Sequence, residues 1–251
     1  MRALPVLLLA LALGACATAR PPSALSPADY AAAIADAKRP ATDRDRDAAR
    51  LPAQVLEFAQ VAPGEKVGDF MMGGGYFTRL LAAAVGPTGK VYGFTPDEFV
   101  AFRPAYATEQ DAVVADYANV IKVRSPLTAP AFPEPLDTII TVQNLHDLYI
   151  EQMPKGTAAK AISALYGALK PGGMLVVIDH SAPVGSGTAL TSKLHRIDRA
   201  TAVADLTAAG FVLDGSSDLY ARPADPRTAN VFDPSIRGKT DQFALRFRKP
   251  A

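Results

Sequence analysis

The chain has 251 residues, enough for one sizeable α/β domain with a core of its own. Its 26 Lys and Arg offset 25 Asp and Glu, a net charge of +1, and no basic block or basic–aromatic interleaving occurs. That balance argues against a nucleic-acid partner, and a single cysteine argues against a disulfide framework or a thiolate metal site.

The N-terminus reads as an address. Arg2 precedes an apolar run from Ala3 to Ala15, too short to span a bilayer comfortably but suited to a signal-peptide core. The run ends in Leu13-Gly14-Ala15-Cys16. This ending resembles a bacterial lipobox, which implies that residues 1–15 are a signal peptide and that Cys16 is lipidated. The implied product is an exported protein on the periplasmic side, touching a membrane through its lipid anchor only. Ala17 after the cysteine implies the outer membrane. Residues 16–47 read as a tether and an N-terminal helical segment, with Ser26 as N-cap and Pro27 at the first helical position. Within it, the mixed-charge run from Arg39 to Arg50 reads as a solvated face.

From residue 48 onward, strands and helices alternate. A helix carrying Leu51, Val55, Phe58 and Val61 stops at Pro63-Gly64. An apolar run then reaches Asp69, three glycines follow (Gly73, Gly74, Gly75), and an amphipathic segment opens at Tyr76 and Phe77. That order predicts strand, tight turn and helix, with unpaired N–H groups offered to an anionic ligand group. Further strands are predicted over Gly89–Phe94, Asn119–Arg124, Leu136–Val142 and Met174–Ile178. Helical segments are predicted over Asp97–Tyr117, with a break near Pro104, over Ala158–Leu169, ending at Lys170-Pro-Gly-Gly173, and over Arg196–Ala209. Two late strands, Gly210–Leu213 and Gln242–Phe247, have no helix between them and predict an antiparallel hairpin. The fold class is therefore α/β: a Rossmann-like, doubly wound, mostly parallel seven-stranded sheet with a terminal antiparallel strand.

The stretch Asp69-Phe-Met71-Met-Gly73-Gly-Gly75 resembles motif I of the class I S-adenosylmethionine-dependent methyltransferases, with a methionine at the first glycine position. Leu169-Lys-Pro-Gly-Gly-Met-Leu-Val-Val-Ile178 and Ala209-Gly-Phe211 extend the resemblance over residues 48–251. The chain is most similar to a small bacterial group of predicted methyltransferases with Met-x-Gly-Gly-Gly-Tyr in motif I. The resemblance implies S-adenosylmethionine as methyl donor, held by Asp69, Gly73, Gly74, Gly75 and Tyr76. It also implies an acidic group on the donor's ribose at the end of the second strand. Strict alignment puts Thr95 there, with Glu98 or Asp97 as substitutes from the next turn. Thr95-Pro-Asp-Glu98 equally fits a helix capping box. The third strand ends at Ser125, where the family usually carries an acid.

Ligands of open parallel sheets bind beyond the carboxyl ends of the strands. That rule selects His146-Asp147 after the fourth strand and Asp179-His180 after the fifth as catalytic candidates. Imidazole beside a carboxylate is a natural base near neutral pH. No close ligand spacing supports a metal site built from His146, His180 and Asp179, and none is expected. No Gly-x-Ser-x-Gly elbow occurs, which argues against a hydrolase triad. The long connector from Asp214 to Asp241, with Tyr220, Arg222, Asp225, Arg227 and Arg237, reads as a binding loop or a solvated one.

The reading is an exported methyltransferase acting on a small-molecule or envelope acceptor. Because the donor is made in the cytoplasm, a second reading stands beside it: a non-catalytic, methyltransferase-like envelope lipoprotein binding a ligand in the same crevice. A third is an enzyme for another nucleotide-like or phosphorylated ligand.

Overall fold

The computed structural model describes residues 26–251. The apolar run, Cys16 and most of the tether lie outside the described residues. Among those described, no helix is long and apolar enough to cross a membrane.

A 3-10 turn over Pro27–Tyr30 leads into four short helices, α1 (Ala31–Ile34), α2 (Ala41–Arg44), α3 (Asp47–Arg50) and α4 (Pro52–Phe58). Ser26 does not cap by accepting. Its N–H and hydroxyl both donate to the Asp29 carboxylate. There follow β1 (Lys66–Phe70), α5 (Tyr76–Val85), β2 (Lys90–Pro96), α6 (Asp97–Phe102), α7 (Ala105–Asp116), β3 (Val120–Ser125) and β4 (Leu136–Val142). The rest is a 3-10 turn over His146–Tyr149, α8 (Thr157–Ala168), β5 (Leu169–His180), α9 (Thr191–Leu194), α10 (Arg199–Ala208), β6 (Val212–Ser217) and β7 (Gln242–Arg248).

The strand order is β3-β2-β1-β4-β5-β7-β6. The first five strands pair in parallel, and β7 runs antiparallel between β5 and β6. This is the fold class expected from the alternating pattern. Order reverses between β1 and β4, so the switch-point crevice opens there. Strands such as β4 and β5 are apolar on both faces because helices cover both. On one face Leu80, Leu81, Val55, Leu56 and Val113 form a core with Tyr30. On the other, Ile162, Leu165, Leu206, Phe211 and Phe247 form its counterpart. The helices preceding residue 48 are part of the first layer: the Tyr30 hydroxyl donates to the Val61 carbonyl at 2.8 Å.

Several expectations are corrected. The run from Arg39 to Arg50 is solvated on one side only. Arg39 and Asp43 are buried, and Arg39 grips Asp47 with both terminal nitrogens at 2.5 and 2.9 Å. Asp47 also accepts the Tyr76 hydroxyl at 2.6 Å, and Asp43 accepts from Arg79 at 2.9 Å. Alternating signs let the segment neutralise itself once folded, a pattern that composition does not separate from a wet helix. The Thr95 capping box is absent. β2 continues through Thr95, Pro96 takes the N-cap place without a side-chain bond, and Glu98 instead accepts the Leu127 N–H at 2.9 Å. β5 begins at Leu169, absorbing Lys170–Gly173 across a register shift. The predicted Arg196 helix starts at Arg199, capped by the Asp198 carboxylate on the Ala200 N–H.

Gly75 is needed for packing as well as for its backbone. It caps α5 in the left-handed region, and a Cβ there would stand 2.5 Å from Val113 Cγ2. Gly73 is also left-handed, but no atom would stand within 4 Å of its Cβ. Gly75→Ala is therefore expected to cost about 2–3 kcal/mol in urea unfolding, conformational strain plus overlap, and Gly73→Ala only about 1 kcal/mol of strain. Equal losses would mean that Val113 does not constrain the turn.

Candidate functional site

A cavity of about 500 Å³ opens at the switch point, beyond the ends of β1, β4 and β5. One end meets the glycine turn (Met71, Met72, Gly73, Gly74) and Asp69, and the other meets His146, Asp147, His180 and His195. Arg46 and Arg50 approach from the N-terminal helices, Phe99 and Tyr106 from α6 and α7, and Phe232 from the late connector.

The turn is held rigidly. Met71, two residues after Asp69, keeps a left-handed backbone at φ 61°. Its side chain is buried in the core with Phe70 and Leu145, and its carbonyl accepts from Asn144 Nδ2 at 3.0 Å. Burial and that bond offset a conformational cost of about 1–2 kcal/mol. The Met72 N–H donates to the Phe94 carbonyl at 3.0 Å. Arg79, one turn into α5, donates to the Gly74 carbonyl at 2.9 Å while paired with Asp43. The Tyr76 ring lies under the Arg50 guanidinium, 4.4 Å from ring centroid to carbon, and Arg50 also covers Phe77 at 4.9 Å. Asp69 is buried and accepts the Thr78 hydroxyl at 2.6 Å. Burial raises its pKa from 3.8 to about 6, with the Thr78 bond and the Arg50 charge acting the other way.

The opposite end is organised by Asp179, the penultimate residue of β5 and fully buried. Its carboxylate accepts the backbone N–H of His146 and of His180, both at 2.7 Å, and faces His146 Nδ1 at 2.8 Å. The ring paired with Asp179 is thus His146, not its sequence neighbour. Burial pulls the His146 pKa down, but Asp179 outweighs it and the net shift is upward. Burial pushes His180 down to about 4, so its ring is neutral, and its Nδ1 meets the Thr240 hydroxyl at 2.9 Å. His146 Nε2 points at Asp147 Oδ1 and at His195 Nδ1, each 3.3 Å away.

The structure brings Asp69, Gly73, Gly74, Tyr76, His146, Asp147 and His180 to one cavity, with Asp179 directly behind His146. Gly75, Thr95 and Glu98 do not line it. Thr95 Oγ1 is buried without a hydrogen-bond partner, and Glu98 turns to the β3–β4 connection. Asp97, directly after β2, does not line the cavity either, so among the described residues no carboxylate from the end of β2 reaches it. His195 was not among the expected site residues, since it follows no strand. It reaches the cavity because Arg196, wholly buried, is tied to Asp225 at 2.8 and 3.1 Å and to the Ser181 and Ala229 carbonyls. Arg50 was also missed, hidden in the charge run.

No family model matches the sequence. Solved structures share the fold. A SAM-dependent methyltransferase from Aquifex aeolicus is 20% identical, with 84% of this chain and 98% of that chain covered and a TM-score of 0.54. The [4+2]-cyclase SpnF is 21% identical over 81% of each chain, with a TM-score of 0.57. A possible exported protein from Bordetella parapertussis is 17% identical over 83% of this chain and 68% of that one, with a TM-score of 0.53. The fold is thus that of the Rossmann-like methyltransferases, which also carries a cyclase.

Asp69 provides a pH test. Its folded-state pKa lies above its unfolded value, so its contribution to stability is present below pH 4 and is lost as pH rises through about 6. The rise from 3.8 to about 6 corresponds to about 3 kcal/mol. In urea titrations without ligand, Asp69→Asn should gain stability over wild type by that order at pH 8 and little at pH 4. A difference independent of pH would show that Asp69 is not held protonated by burial.

Proposed function

We propose that the protein is an exported S-adenosylmethionine-dependent methyltransferase acting on a small-molecule or envelope acceptor. The observation that carries this reading is the single cavity joining the glycine turn to the histidine end, about 500 Å³ in volume. In this reading the glycine turn, Arg50 and Asp69 would hold the donor's amino-acid end, the guanidinium suiting its carboxylate and the aspartate its ammonium. A cation there would favour the ionised form of Asp69 that burial disfavours. The adenine lies on the aromatic side, toward Phe99 and Tyr106. His146, Asp147 and His195 would then line the space left for the acceptor.

The reaction is in-line displacement. A lone pair of the acceptor bonds to the methyl carbon as the carbon–sulfur bond breaks, leaving a neutral thioether. The acceptor's proton departs at the histidine end. Holding the reactants at near-attack distance supplies most of the catalysis. That neither Asp97 nor Glu98 lines the cavity favours the second reading, a non-catalytic envelope lipoprotein that binds a ligand in this crevice.

Export and lipidation rest on the Ala3–Ala15 run and its end at Cys16. A neighbour in fold, the possible exported protein from Bordetella parapertussis, is consistent with such a scaffold outside the cytoplasm.

Calorimetry with S-adenosylmethionine and its demethylated product is the direct test. Wild type should bind both. Arg50→Leu should weaken binding about 10–100-fold, the scale of one charge-assisted hydrogen bond. A folded wild type that binds neither at millimolar ligand ends the methyltransferase reading, and binding without turnover of any acceptor favours the non-catalytic one. In cells, Cys16→Ser should abolish lipid labelling, and recovery of wild type in the cytoplasm with Met1 intact would overturn export.

A further inference from the structure

We infer that His146 Nε2, His195 Nδ1 and Asp147 Oδ1 form a binding site for a divalent metal ion of zinc type, open toward the cavity. The three atoms lie within one ligand-sized space: 3.3 Å from His146 to His195, 3.3 Å from His146 to Asp147, and 3.9 Å from His195 to Asp147. Ligand atoms bonded at about 2.0–2.1 Å to a tetrahedral ion stand about 3.3–3.4 Å apart. Two edges of the triangle have that length already, and the third closes with a movement of about 0.5 Å.

The surroundings suit the role. Asp179 takes Nδ1 of His146 at 2.8 Å, which in the neutral ring turns the Nε2 lone pair toward the other two ligands. Its second oxygen is fixed by the His146 N–H at 2.7 Å. A buried carboxylate behind a ligating imidazole is the usual outer-shell arrangement, setting tautomer and ring direction. His195 sits at φ 54°, ψ 47°, a left-handed conformation costly for a side chain with a Cβ. That conformation is fixed by Arg196 and its buried pair with Asp225, so the chain accepts strain to bring this ring to His146. The rings meet edge to face at 5.3 Å, and Phe232 closes the far side of His195 at 4.9 Å.

Two imidazoles and one carboxylate leave one tetrahedral position free, and all three residues line the cavity. A water or an acceptor hydroxyl would complete the coordination. His180 is not one of the three, since the ligand atoms that lie together come from His146, Asp147 and His195. The sequence held no hint of this set, since its histidines are 49 residues apart and the spacing is not that of a local motif. The inference does not depend on the methyl-donor reading.

The test uses tag-free full-length protein, stripped with chelator, and titrated with Zn²⁺ by calorimetry and with Co²⁺ by visible absorption. Wild type should bind one equivalent and give the intense absorption of tetrahedral Co²⁺. His195→Asn, which keeps a residue tolerant of the left-handed conformation, should lose stoichiometric binding, and so should Asp147→Asn. Asp179→Asn should weaken it about 10–100-fold, the usual outer-shell effect. His180→Ala should retain it. Circular dichroism confirms folding of each variant. No one-to-one binding by folded wild type, or binding that survives His195→Asn, overturns the site. Calorimetry of metal-free protein with S-adenosylmethionine is read separately, so loss of the metal site and loss of the donor site are distinguishable.

Discussion

A charge removed from water must be paired, and in this molecule the pairing of buried aspartates places the cavity walls. Asp43 and Asp47, with Arg79 and Arg39, fasten the N-terminal helices onto α5 and the Gly74 carbonyl. Asp179 joins the end of β5 to the turn after β4 through His146. Asp225, with Arg196, ties the late connector to the segment that carries His195. Removing one partner of such a pair typically costs 3–5 kcal/mol, so these contacts fix geometry even where their net contribution to stability is small.

Strain is concentrated around the same cavity. Met71, Gln143 and His195 all line it and all have positive φ without being glycine. Each conformation is over-determined by neighbours: Asn144 on the Met71 carbonyl, the Ile178 carbonyl accepting the Gln143 N–H, and Arg196 beside His195. Left-handed residues held in this way are a known mark of functional sites. Met71 shows how a glycine position survives without glycine: the backbone keeps the conformation, and the side chain contributes apolar burial instead.

The two ends of the cavity differ in character. The turn end is built from strand, glycines and helix. The histidine end is assembled from a 3-10 turn, a strand end and the segment after α9. A fold that carries both methyltransferases and a cyclase leaves chemistry to such local groups.

Much of the fold was legible in the sequence. Period and punctuation marked β1 to β4, the break at Pro104 and the final antiparallel pair, because apolar alternation and Gly or Pro placement act locally. The glycine turn, His146-Asp147 and Asp179-His180 were legible through the strand-end rule. What the sequence could not convey was which groups meet. Thr95-Pro-Asp-Glu98 satisfied a local capping pattern, yet β2 pairs with β3 through Pro96, and the ladder outweighed the cap. The Arg39–Arg50 charges looked wet because their partners, Tyr76 and Arg79, are distant in sequence. His195 had no signal at all, since its place depends on a buried ion pair 29 residues long and on a left-handed backbone. Sequence determined the elements and their order by local physics. Only tertiary structure decided which carboxylate faces which imidazole, because the pairing of buried charges is settled by packing in three dimensions.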